Sequence, residues 1–201
     1  MMRLFRQFKR SPKTLASVPA YALWAQNYPA HAHNTLMQLE ESAMRLLMPD
    51  LAGKRILDLA CGTGRYGRIA DEGGAGVVMG LDNSHAMLER AEVAEVALAT
   101  NEALPLRSAS LDGVLCGLAI GHLPRVTPTL SEIARVLAPN GVALISDFHP
   151  FQFLRGAQRT FTAPDGRVFA VEHYSHLISH VITEAQNVGL HLSALQEPTY
   201  D

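Results

Sequence analysis

Apolar residues in this chain cluster in short runs separated by polar, turn-forming stretches. Runs such as Ile56-Leu57, Val77-Val78-Met79 and Val142-Ala143-Leu144-Ile145 are too short for helices and read as buried strands. Strands are expected at 55–59, 77–81, 93–99, 112–117 and 141–147. The helical period returns between them, at 64–72, about 84–91 and 127–137. This alternation is the pattern of a parallel sheet with helices on both faces, a Rossmann-like doubly wound α/β fold. Ahead of the first strand, Asn34 is positioned to cap a helix that places Leu36, Leu39, Ala43 and Leu47 on one face, ended by Pro49 and Gly53. Beyond the fifth strand, Arg159–Thr162 and Arg167–Glu172 flank Pro164-Asp165-Gly166, a hairpin signal. A helix at about 175–187 and a strand at about 190–196 complete the pattern. Residues 14–33 show no period and read as an irregular lead-in.

Length and composition narrow this little further. The 201 residues suit one domain, 34–201, preceded by an N-terminal segment over 1–33, and no apolar run approaches the ~20 residues of a membrane span. Cys61 and Cys116 sit at strand ends rather than in a disulfide framework, which makes a reduced, cytoplasmic setting the default. Charge is unevenly spread. The net charge is −2, yet Arg3, Arg6, Lys9, Arg10 and Lys13 occupy the first thirteen residues without an acid among them, leaving 12 basic against 19 acidic residues elsewhere. That leader is either a solvated terminus or a contact for an acidic partner or membrane surface. The acidic body argues against a broad nucleic-acid footprint.

The densest chemical signal is Ile56-Leu57-Asp58-Leu59-Ala60-Cys61-Gly62-Thr63-Gly64-Arg65-Tyr66-Gly67. A strand carrying one carboxylate runs into a glycine turn and then a helix start. Gly62 and Gly64 allow backbone N–H groups close to a ligand, and the positive end of the helix points to the same place. The glycine spacing alone also fits a dinucleotide fingerprint. Asp58 separates the two readings, because a carboxylate there repels a pyrophosphate and favours the ammonium and sulfonium of S-adenosylmethionine.

The segment Leu57–Gly64 resembles the first motif of the class I S-adenosylmethionine-dependent methyltransferases. Downstream segments are similar to that family in the expected order: Gly80-Leu81-Asp82-Asn83-Ser84, Asn101–Leu106, Ser110–Leu115 and Glu132–Gly141. Within the family the likeness is to small-molecule enzymes related to those of quinone and biotin pathways. The resemblance implies S-adenosylmethionine as cofactor. It implies that Asp58, Ala60, Cys61, Gly62 and Gly64 hold its methionine part and Asp82 its ribose hydroxyls. Asn83 and Met87 would flank the adenine, Asn101 and Glu102 would lie at its edge, and the backbone at Leu118 would pass beneath it. The same resemblance leads one to expect a last antiparallel strand beside strand five, for which no residues remain. Either the polypeptide is truncated, or the 157–173 hairpin or a partner chain, as in a homodimer, covers that edge.

Candidates for the acceptor side are fewer. His122 and His149 follow strands four and five, on the edge where open parallel sheets bind ligands, and either could act as base for a hydroxyl or acidic-carbon acceptor. Tyr21 and Tyr28 are candidate lid residues, and the aromatics around them serve equally well as a clasp on the first helix. Residues 148–175 form a substrate-side insertion. His173, His176 and His180 lack acidic or cysteine partners at matching intervals, so no metal is expected. An Asn/Asp-Pro-Pro-aromatic motif after strand four is absent, which disfavours amide or adenine nitrogen as the methylated atom. The expected function is methyl transfer to a small-molecule O- or C-nucleophile. The alternative is a cofactor-binding but inactive domain or partner subunit.

Overall fold

The computed structural model describes residues 11–199. Arg3, Arg6, Lys9 and Arg10 of the basic leader lie outside them. The chain runs β1 (Lys13–Leu15), α1 (Ser17–Trp24), a 3₁₀ turn (Ala25–Asn27), α2 (Thr35–Leu47), β2 (Arg55–Leu59), α3 (Arg65–Glu72), β3 (Val77–Asp82), α4 (His85–Leu88) and β4 (Glu95–Leu98). It continues with β5 (Leu111–Gly117), a second 3₁₀ turn (Ile120–His122), α5 (Thr127–Val136), β6 (Leu137–Ser146), α6 (Pro150–Leu154), β7 (Thr160–Thr162), β8 (Val168–Val171) and α7 (Ile178–Asn187).

Five strands form one parallel sheet in the order β4-β3-β2-β5-β6. The order reverses at β2, so the carboxyl ends of β2 and β5 flank a crevice where ligands bind in such sheets. Central strands are buried on both faces, which explains their apolar runs. Leu57, Leu59, Val114, Leu130, Ile133 and Val136 fill one side of the sheet, with Val181 and Ala185 of α7 packed over them. Ile56, Leu115, Tyr66, Ile69 and Met44 fill the other. Asn34 caps α2 as expected, its side-chain oxygen accepting the Met37 N–H at 2.9 Å.

Several expectations need correction. The buried face of α2 carries Met37, Glu40 and Met44, one position off the Leu36-Leu39-Ala43-Leu47 stripe, whose members are only half-buried. This rotation turns Glu40 inward, where it pairs with Arg65 at 2.8 Å. The lead-in is not irregular: it holds β1 and α1, and β1 pairs in parallel with β8. The hairpin forms, but β7 and β8 join β1 in a separate three-stranded sheet and leave β6 as the edge of the large one. The helix placed at 84–91 spans only His85–Leu88. The strand placed at 190–196 has no strand partner and takes no regular structure. Strand five begins early, at Leu137, with a register shift between Leu111 and Gly113 of β5 that accommodates Pro139-Asn140-Gly141; Asn140 takes φ +64° there.

Candidate active site

The glycine turn has the geometry its sequence requires. Gly62 and Gly64 adopt φ of +57° and +91°, conformations costly for any residue with a Cβ. A Cβ on Gly67, the third glycine, would lie 2.4 Å from Val93 Cγ2, so this residue serves close helix–loop packing. Ala60 and Leu118 follow β2 and β5 with φ of +56° and +55° despite having side chains. Such strain is concentrated where a surrounding network over-determines the backbone. At Leu118 that network is visible: its N–H donates to the Ser146 carbonyl at 2.9 Å, and its carbonyl accepts from Arg159 Nη1 at 2.9 Å.

Two buried carboxylates face the turn. Asp58 Oδ2 accepts the Gly67 N–H at 2.7 Å; burial pushes its pKa up to about 7 against the pull of that N–H and of Arg65. Asp82 accepts from the Gly62 N–H (Oδ2, 2.8 Å) and the Ser84 N–H (Oδ1, 2.8 Å), and burial raises it too. Each carboxylate oxygen keeps a further lone pair for a ligand. Behind the turn, Arg65 Nη1 lies 2.8 Å from Glu40 Oε2, and the Tyr66 hydroxyl donates to Glu40 Oε1 at 2.6 Å.

These residues open into one cleft, enclosing about 820 Å³ including its mouth. Asp58, Ala60, Cys61, Gly62, Asp82, Asn83, Met87, Asn101 and Leu118 all line it, as do Tyr21, Tyr28 and His122. Gly64 lies outside the lining and instead forms the left-handed N-cap of α3. Glu102 is exposed and outside it, one residue past buried Asn101. His149 is also outside: its Nδ1 accepts the Phe151 N–H at 3.1 Å as the cap of α6, and its Nε2 faces Glu197 Oε1 at 2.8 Å. A capping histidine tied to a surface carboxylate is a poor base for a substrate in the cleft.

A second group of residues at the cleft is aromatic and cationic. Trp24 stacks on Phe161 of β7 at 4.9 Å and Tyr28 meets Trp24 edge-on, so the lead-in clasps the hairpin rather than α2. His122 Nδ1 faces the Glu172 carbonyl at 3.0 Å. That oxygen can only accept, so Nδ1 carries the hydrogen and Nε2 is the acceptor. The Tyr21 hydroxyl (3.0 Å) and Arg159 Nη1 (3.1 Å) both approach that nitrogen. Burial and Arg159 push the His122 pKa down to about 3. The sequence reading missed Arg159; the only signal was a lone arginine opening the hairpin within the insertion assigned to the pocket.

The donor set fits a cationic, phosphate-free ligand: two buried carboxylates, a left-handed glycine turn, and an Arg65 already matched by Glu40. It is a poor cradle for a pyrophosphate. Fold and cleft together define a class I, Rossmann-like methyltransferase of the S-adenosylmethionine-dependent kind. Comparison with known proteins agrees. Residues 57–145 match the family model described as a methyltransferase domain. A demethylmenaquinone methyltransferase of Lactococcus lactis is 41% identical over 115 residues, 51% of this chain and 46% of that one. A malonyl-acyl carrier protein O-methyltransferase of Enterobacter lignolyticus is 33% identical over 114 residues, 55% of this chain and 45% of that one. The crystal structure of an S-adenosylmethionine-dependent methyltransferase from Mesorhizobium loti superposes with TM-score 0.64 at 26% identity, covering 75% of this chain and 80% of that one. The likeness to S-adenosylmethionine-dependent methyltransferases covers the parallel sheet and the cleft, and the chain spans about half the length of the curated relatives it matches. Among the described residues no helix is long and apolar enough to cross a membrane.

Proposed function

We propose that this protein transfers a methyl group from S-adenosylmethionine to a small-molecule acceptor bearing an oxygen or carbon nucleophile. The carrying observation is a single cleft lined both by the Asp58 and Asp82 carboxylates and by the Tyr21–Tyr28–His122–Arg159 cluster. When bound, the cofactor supplies an activated methyl on a cationic sulfur. Asp82 accepts the ribose hydroxyl protons while its own bonds to the Gly62 and Ser84 amides fix its plane. Asp58 provides negative charge beside the methionine part, Asn83 and Met87 flank the base, and Asn101 lies at its edge. Tyr21 and Tyr28 close the cleft from the lead-in and exclude water, leaving the protein mainly the task of alignment. The free, buried Cys61 and Cys116 support a reduced cytoplasmic setting, and the edge position of β6 supports a homodimer.

Calorimetric titration with S-adenosylhomocysteine tests the reading. The parent is expected to bind, and Asp82→Ala to bind about 100-fold more weakly, a loss of about 2.7 kcal/mol. A folded parent that does not bind refutes it.

A further inference from the structure

The aromatic and cationic group at the cleft lacks a free base. Its one imidazole, His122, has Nδ1–H committed to the Glu172 carbonyl and the lone pair of Nε2 claimed by Arg159 and Tyr21. Asp58 and Asp82 also line the cleft, each bonded to backbone amides. The Tyr66 hydroxyl already donates to Glu40. Asp147 and His173 are near, 3.9 Å apart, but sit behind His122 and do not line the cleft.

What this group does offer is donors. Arg159 spends Nη1 on the Leu118 carbonyl and His122; the Tyr28 hydroxyl and the Asp147 carboxylate lie near its guanidinium, the rings of Tyr21 and Phe148 flank it, and Nε and Nη2 make no other hydrogen bond among the described residues. The Tyr21 hydroxyl competes with Arg159 for a single lone pair on His122, so it can turn its hydrogen to a ligand at little cost. A guanidinium fork flanked by two phenols matches a carboxylate.

We infer that the acceptor is a carboxylic acid, bound as its carboxylate between Arg159, Tyr21 and Tyr28 and methylated on oxygen to give an ester. This rests on the methyltransferase reading above. The steps balance without a base: a carboxylate oxygen lone pair forms the bond to the methyl carbon, the carbon–sulfur bond breaks with its pair left on sulfur, and anion plus cation become two neutral products. No proton is left over.

The test separates this inference from the reading beneath it. Protein loaded with S-adenosylhomocysteine is titrated with benzoate and with a malonate monothioester, each beside its neutral methyl ester. At least one acid is expected to bind about tenfold or more tightly than its ester. Arg159→Gln is expected to erase that preference and Arg159→Lys to keep part of it. Homocysteine-product affinity reports whether each variant keeps its cleft; if the Gln variant loses it, the parent's acid–ester comparison and the Lys variant decide. Normal S-adenosylhomocysteine binding with acids and esters bound equally, or with neither bound, overturns the inference and leaves the methyltransferase reading standing. Turnover with S-adenosylmethionine in weak buffer gives a second readout. No proton is released per ester formed; release of one proton per methyl transferred shows a neutral acceptor and also overturns it.

Discussion

One group of cleft residues, Asp58, Ala60, Asp82 and Leu118, is delivered by adjacent strand tips of one parallel sheet, and its two carboxylates are held by backbone amides of the turns that follow the same strands. The other group, Tyr21, Tyr28, His122 and Arg159, arrives from the lead-in, a 3₁₀ turn and the hairpin, and is held by side-chain contacts among its members and by the Glu172 and Leu118 carbonyls. The first group is therefore specified by local geometry and rests on the central sheet. The second is specified by long-range contacts, with a second sheet of three short strands as its support. A site assembled this way can keep its cofactor chemistry while its acceptor chemistry is rebuilt, because the two groups share few covalent neighbours.

The sharpest way to break the strand-tip group is from beneath. Glu40 is buried, pairs with Arg65 at 2.8 Å, and accepts hydrogen bonds from Tyr66 and from the Ser146 hydroxyl. Glu40→Ala leaves the buried Arg65 guanidinium only the Glu41 carboxylate at 3.7 Å and the Met37 carbonyl, and should cost about 3 kcal/mol of stability, read by urea denaturation. It should also weaken S-adenosylhomocysteine binding, since Arg65 and Tyr66 line the cleft.

A smaller effect of opposite sign is expected at Asp58. Its folded pKa of about 7 stands above the ordinary 3.8, so between those values the folded state binds the extra proton and stability falls as pH rises. Above about pH 7 the penalty is complete. Asp58→Asn carries none of it and can still accept the Gly67 N–H. The variant should be more stable than the parent by about 2 kcal/mol at pH 8, and the gap should close as pH falls towards 4. Thermal melts across that range check it, and calorimetry should show weaker cofactor binding at the same time.

The smallest effect is expected at His149, which is exposed and pairs with Glu197 on the surface. His149→Ala should change S-adenosylhomocysteine affinity and thermal stability by less than about 0.5 kcal/mol. A large loss would move the acceptor site towards α6.

This division also explains what the sequence could reveal. The positions of Asp58, Gly62 and Asp82 beside one cleft were legible because consecutive strand–turn–helix units put them at adjacent strand tips, so spacing carries the geometry. His122 was legible as a position after a strand but not as an occupied acceptor, since its partners Tyr21 and Glu172 are far off along the chain. Arg159 was invisible for the same reason. His149 was misplaced because a position after a strand does not tell a capping residue from a cleft residue. The irregular reading of 14–33 failed because β1 is only three residues long, and no period can be seen over so short a run. The strand placed at 190–196 shows the converse: β-propensity without a neighbouring strand does not make a strand.

The parallel pairing of β1 with β8 joins Lys13 to Phe169 and Leu15 to Val171, positions more than 150 residues apart. Closing so long a loop for three residues of pairing makes this the contact with the least local reward in the molecule. It should form last in folding and open first in the native state. Amide hydrogens of Lys13–Leu15 and Val168–Val171 should then exchange together, well ahead of those in β2 and β5. Because α1 follows β1 directly and carries Tyr21, that same unzipping is a route by which an acceptor could enter and its product leave while the large sheet stays intact.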